Sequence, residues 1–181
     1  MPERRTEEQG VTPWHIPLAV EDVPETGQHL DLVANAEARA GVARVAGLRD
    51  LPRLQASFDV MRQGSGLRVA GRVSATVGQT CVVTLEPLAN EVDEAIDLVF
   101  APQAVKRNGE GANAEESNVA ESWNEPEPLI GGTVDLGALA TEFLTLGLDP
   151  YPRKPGATFQ PPGDASADEG PFAALAKLKK G

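Results

Sequence analysis

From Leu54 to Val60 the chain alternates strictly: Leu54, Ala56, Phe58 and Val60 are apolar, while Gln55, Ser57 and Asp59 are polar. A period of two is the pattern of a half-buried β-strand. A second run, Leu67 to Val77, keeps Leu67, Val69, Val73, Ala75 and Val77 on one parity and Arg68 and Arg72 on the other. Between them stands "QGSG", whose two glycines can take positive φ in a tight turn. Pairing Arg62 with Leu67 sets Val60 opposite Val69, Phe58 opposite Gly71, Ala56 opposite Val73 and Leu54 opposite Ala75. That register puts the apolar sets of both strands on one face, and a slip of one residue would reverse it. Phe58 then covers Gly71, which would otherwise weaken its strand. The opposite face collects Arg53, Ser57, Asp59, Arg68 and Arg72.

The same reading extends outward. "TCVVTLEPL", Thr80 to Leu88, reads as a third strand closed by Pro87. "NEVDEAIDLVFAP" reads as a fourth, with Val92, Ile96, Leu98 and Phe100 on one parity and Asp93 and Asp97 on the other. Trp14 to Val20 reads as a short edge strand because it contains Pro17. Gln28 to Ala40 is expected to be helical, capped by Thr26 and ended by Gly41, with His29 exposed in its first turn. Asp135 is expected to cap a second helix, with Leu136, Leu139, Ala140, Phe143 and Leu144 on one stripe and Pro150 ending it. "PYPRKPG" follows, a rigid exit that would hold Arg153 and Lys154 in one place. The class implied is α+β: an antiparallel β-meander sheet, open or barrel-like, covered by two main helices, because such a sheet must bury one face.

The pattern stops between Pro102 and Pro128, where Glu110, Glu115, Glu116, Glu121, Glu125 and Glu127 accompany few apolar residues. This segment reads as a disordered acidic loop. The expected organisation is a flexible N-terminus over 1–12, one domain over 13–159 with a mobile acidic loop at 102–127, and a linker plus short amphipathic tail helix over 160–181. The tail's acidic start and lysine-rich end suit a helix dipole.

Composition and charge narrow the chemistry. Aromatic residues make up 4% of a chain that is 41% apolar, so the core must be mostly Leu, Val and Ala. A formal charge of −11 argues against binding nucleic acid over the whole surface and favours basic partners. Yet Arg39, Arg44, Arg49, Arg53, Arg62, Arg68 and Arg72 face only Asp50 and Asp59 between residues 39 and 72, so this third of the chain is locally positive. Arginine offers planar, two-pronged contacts to phosphate or carboxylate. The alternative use of these arginines is internal, with Asp59 diagonal to Arg68 and Arg72. A single cysteine, Cys81, lies in an apolar run with no base nearby, and no Cys/His spacing for zinc occurs. The acidic residues Asp93, Glu94 and Asp97 read as a solvated strand face and not as a catalytic pair. No apolar run reaches the roughly 20 residues of a membrane helix, and the first ten residues lack the apolar stretch of a secretory signal. No enzyme, cofactor, metal or membrane is implied, and a cytoplasmic protein is expected.

Two segments, "CVVTLEPLANEVDEAIDLVF" and "PEPLIGGTVDLGALATEFLTLGLDPYPRKPG", resemble the YceD family, the large ribosomal RNA subunit accumulation proteins. "PFAALAKLK" is similar to the tail of the family's alphaproteobacterial members. The resemblance spans most of Trp14 to Lys179 outside the acidic loop, and Thr84–Pro87 and Asp135–Gly137 are its most specific parts. It implies a non-enzymatic factor for accumulation or processing of large-subunit ribosomal RNA. Many relatives carry a second cysteine where this chain has Thr84, so the zinc site those relatives suggest does not carry over. The partner implied is immature large-subunit RNA or a small basic ribosomal protein, with Arg53, Arg68, Arg72, Arg153 and Lys154 as candidate contacts. The competing expectation is an acidic escort for a basic ribosomal protein, with no RNA contact.

Overall fold

The computed structural model describes residues 12–102 and 126–159. The elements run β1 (Pro17–Ala19), a single 3-10 turn (Val20–Asp22), β2 (Gln28–Val33), α1 (Ala36–Val45), β3 (Asp50–Gln63), β4 (Gly66–Thr80), β5 (Pro87–Ala101), β6 (Glu127–Pro128), β7 (Thr133–Asp135) and α2 (Leu136–Leu146). One sheet has the order β2-β3-β4-β5-β6, and β1 pairs with β7 in a separate two-stranded ribbon. The pairs from β2 to β5 are antiparallel, and only the two-residue β6 runs parallel to its neighbour. The class is therefore α+β, and the sheet is open, not closed into a barrel.

The hairpin of β3 and β4 has the register its alternation dictates: Arg62 opposite Leu67, Val60 opposite Val69, Phe58 opposite Gly71, Ala56 opposite Val73 and Leu54 opposite Ala75. At its turn Gly64 takes φ +60°, while Gly66 does not adopt positive φ. A Cβ added at Gly71 would lie 2.2 Å from the Ser57 carbonyl oxygen and 2.8 Å from Phe58 Cδ1, so Phe58 does close over this glycine. The pairing shifts between Asp50 and Arg53, and Pro52 sits within that irregularity. A bulge is where a long strand tolerates proline. The extra residue also switches parity, so that Leu51 and Leu54 are both buried.

Two expected elements are wrong. Gln28–Val33 is a strand, not the start of a helix: Leu30 and Leu32 alternate inward with His29 and Asp31 outward, and β2 pairs with β3 from Gln28–Val60 to Val33–Gln55. The helix begins only at Ala36, where Asn35 is the cap and accepts from the Ala38 N–H at 2.8 Å. Gly41 lies inside α1 and does not end it. Thr80–Leu88 is not a third strand either. β4 continues to Thr80, Cys81–Glu86 is a loop, and β5 starts at Pro87. The meander therefore consists of β2 to β5: β5 takes the place beside β4 expected of Thr80–Leu88, and β2 adds a strand beyond β3. The expected edge strand at Trp14–Val20 is reduced to Pro17–Ala19, paired with β7.

Both helices lie on the apolar face, α1 against β3 and α2 against β4 and β5. Phe58, Leu54, Leu67, Leu136 and Leu144 are the largest wholly buried side chains of one continuous core. Asp135 caps α2 as its position suggests, accepting from the N–H groups of Gly137 and Ala138 at 3.1 Å each. Gly137 has a packing reason, since a Cβ there would come within 2.3 Å of the Trp14 carbonyl oxygen. α2 ends at Leu146, earlier than Pro150 alone would require. Nearly all of the acidic segment and the whole of the tail helix lie outside the described residues.

Candidate functional site

The outward face of β2 to β5 is covered by no other element among the described residues. Its positions follow from the register: Asp31 on β2, Arg53 and Asp59 on β3, Arg68 and Arg72 on β4, and Glu91, Asp93 and Asp97 on β5. None of its outward positions carries Phe, Tyr or Trp. Bases cannot stack on aromatic rings there, as they do on the sheets of many single-strand RNA binders.

The three sheet arginines are each joined to a carboxylate of β5. Arg53, Thr76 and Glu91 form a row across three strands; Arg53 Nη2 lies 2.6 Å from Glu91 Oε2, and the Thr76 hydroxyl donates to Glu91 Oε1 at 2.7 Å. That hydroxyl, and then Arg53, hold the Glu91 carboxyl below its ordinary pKa. Arg68 grips Asp97 with two prongs, Nε to Oδ1 at 3.0 Å and Nη2 to Oδ2 at 2.8 Å. The Arg68 hydrogen bond correspondingly lowers the Asp97 pKa. Arg72 pairs with Asp93. Asp59 does not take the diagonal role expected of it: its Oδ1 lies 2.7 Å from His29 Nδ1. His29 is exposed, yet its pKa is raised, first by the hydrogen bond with Asp59 and further by Asp31. The histidine partner that the sequence separation of 30 residues hides is thus supplied by strand pairing.

Between the β3 bulge and the hairpin turn this face carries three arginines (53, 68, 72) against five carboxylates (31, 59, 91, 93, 97), an excess of two negative charges before His29 is considered. Exposed ion pairs of this kind are each worth only about 0.2–1 kcal/mol, so they orient side chains more than they stabilise the fold. Between β2 and β4 the face dips into a depression of about 280 Å³, with Asp31, Gln55, Ser57, Arg72 and Ser74 around it.

Arg153 and Lys154 lie elsewhere, in the segment after α2, which packs against the Cys81–Glu86 loop joining β4 to β5. Pro152 is buried, and its carbonyl accepts from the Val82 N–H at 2.9 Å. The Lys154 N–H points at Cys81 Sγ at 3.4 Å, and its ammonium lies 2.8 Å from Glu86 Oε2. Arg153 is exposed. The segment after α2 is thus pinned to the loop, which holds Arg153 and Lys154 at a fixed place. Cys81 is buried in that loop and not in a strand. A hydrogen bond from the Thr84 side chain, then the Lys154 and Thr84 N–H groups, lower its pKa to about 6. Its sulfur is therefore a polar joint between two segments rather than a plain apolar filler. Among the described residues no cluster of three or more His, Cys, Asp or Glu side chains could hold a metal ion, and no helix is long and apolar enough to cross a membrane.

The described residues thus form an open, mostly antiparallel sheet with helices on one face and a charged opposite face. Residues 69–179 match the family described as large ribosomal RNA subunit accumulation protein YceD, and the chain belongs to that family. No curated protein and no solved structure matches the chain. The family implies a role in accumulation of large-subunit ribosomal RNA. The matched residues include Arg72, Arg153 and Lys154, whereas Arg53 and Arg68 precede them.

Proposed function

We propose that this protein is a non-enzymatic factor for large-subunit assembly, and that its open sheet face docks a basic ribosomal protein in the cytoplasm. The observation that supports this reading is the charge pattern of the face. Each arginine is matched by a β5 carboxylate, and Asp31 and Asp59 remain as surplus beside His29. RNA phosphates approaching Arg53, Arg68 or Arg72 would meet the carboxylate already bound there. A lysine- or arginine-rich protein surface instead finds the surplus acids and can exchange partners with the paired ones. The arginines then act as spacers that keep the carboxylates apart and discriminate against uniformly acidic surfaces. Arg153 and Lys154 form a second, loop-borne contact beyond the end of the sheet.

The test is charge reversal of the surplus, Asp31→Lys with Asp59→Lys, both exposed and both outside the core. Tagged wild-type and variant proteins are recovered from growing cells, and the large-subunit proteins bound to each are quantified. A basic large-subunit protein held by the wild type and lost from the folded variant is the expected result. Equal recovery by both would contradict docking on this face.

A further inference from the structure

Three of the arginines that lack carboxylate partners lie on a different surface. A groove of about 540 Å³ runs between α1 and the start of β3, with Arg39, Arg44 and Arg49 along it and Asp50 as its one acidic residue. Arg44 and Arg49 are exposed, and neither guanidinium has a hydrogen-bond or ion-pair partner among the described residues. Arg62, by contrast, is turned to the Val23 and Glu21 carbonyls, and the three sheet arginines are all paired.

We propose that this groove binds the phosphate backbone of RNA, with Arg44 and Arg49 as the phosphate contacts. Three guanidiniums against one carboxylate leave an excess of two positive charges in a protein whose total is −11, so the attraction is local. The groove is built on fixed backbone. The Arg49 N–H donates to the Gly78 carbonyl at 2.8 Å, and the Leu48 N–H to the Ala43 carbonyl at 2.9 Å. Arg39 closes one end, with Nη1 donating to the Ala34 carbonyl at 2.7 Å. The small side chains of Ala40 and Ala43 line the space between, which lets a sugar-phosphate chain come close. No aromatic residue lines it, so it offers phosphate contacts without base stacking, and binding should tolerate any sequence. Arg44 in the last turn of α1 also suits the helix dipole, but that effect does not account for Arg49, which lies beyond the helix. The choice of RNA over an acidic protein rests on membership of a ribosomal RNA accumulation family and not on the sheet-face reading.

The experiment measures anisotropy of a labelled short RNA duplex of arbitrary sequence with the full chain, between about 50 and 200 mM salt. Three proteins are compared: wild type, R44Q/R49Q and D31K/D59K, each checked for an unchanged melting temperature. Wild type should bind with a steep salt dependence. R44Q/R49Q should bind about tenfold or more weakly, with a salt slope smaller by nearly two units, because each lost phosphate contact removes about 0.9. D31K/D59K should retain the Arg44 and Arg49 contribution, so the triple comparison separates this groove from the sheet face. Equal affinity and slope for wild type and R44Q/R49Q would overturn the proposal. So would absence of RNA binding by wild type at the lowest salt, or displacement of bound RNA by polyglutamate as readily as by unlabelled duplex.

Discussion

Asp135 carries more of the structure than its place as a helix cap suggests. Besides the two N–H groups of α2, its carboxylate accepts from the Ile16 N–H at 2.9 Å and the Thr12 hydroxyl at 3.1 Å, and lies 2.6 Å from His15 Nδ1. Burial by itself would raise its pKa, but the Ile16 and Ala138 N–H groups, then His15 and Thr12, bring it below the ordinary 3.8. Because the folded pKa is depressed, the stabilisation is complete above the unfolded value and is lost as pH falls through the folded one. Asp135→Ala should therefore destabilise the protein at neutral pH by about 2 kcal/mol, combining a lost cap with lost contacts to the N-terminal strand. The difference from wild type should narrow as pH falls below the ordinary value of 3.8. Urea unfolding at pH 7 and near pH 3 measures both effects; equal stability at pH 7 would contradict this role. The cap itself was legible, since Asp before an apolar stripe is a helix start. The ties to Ile16, Thr12 and His15 were not, because they span about 120 residues of chain.

At the scale of elements, the β3–β4 hairpin was readable to the residue because both strands alternate and only one register satisfies both. Gly71 provides its sharpest test. Gly71→Ala places a methyl group against the Ser57 carbonyl and the wholly buried Phe58. Overpacking of this kind costs about 1–3 kcal/mol, so a melting temperature lower by several degrees is expected, and an unchanged one would mean the pair is looser than described. β2 shows why the reading failed elsewhere. "QHLDLV" alternates, but over only six residues, and Leu30, Val33 and Ala34 also fit a helical stripe. The decisive signal was Asn35, a good cap placed directly before "AEARA". Thr80–Leu88 failed for another reason. Its apolar residues prolong β4, but Cys81 and the following turn serve to receive the Pro152 segment, a long-range contact with no local pattern.

For the whole molecule, Arg53, Arg68 and Arg72 lie on the polar sheet face that the alternation implies, yet their electrostatic surroundings are hidden in the sequence. Asp59 looked like the partner of Arg68 and Arg72 because it is near in the hairpin; the strand that supplies the carboxylates, β5, lies about 20 to 40 residues further along. Strand pairing thus turns a locally positive third of the chain into a sheet face with more acid than base. Among the described residues, Arg44 and Arg49 keep their charge unpaired at the α1–β3 groove, which becomes visible only once the helix is placed at Ala36–Val45. The proposed docking of a basic protein and of RNA would thus use two surfaces of opposite sign.

The most direct test of this account is the ratio of mature large-subunit to small-subunit ribosomal RNA in cells whose only copy of this protein is D31K/D59K. With the variant present at wild-type level and normally folded, the account predicts a clear fall in that ratio. A ratio equal to that of wild-type cells would contradict the acidic sheet face as the working surface.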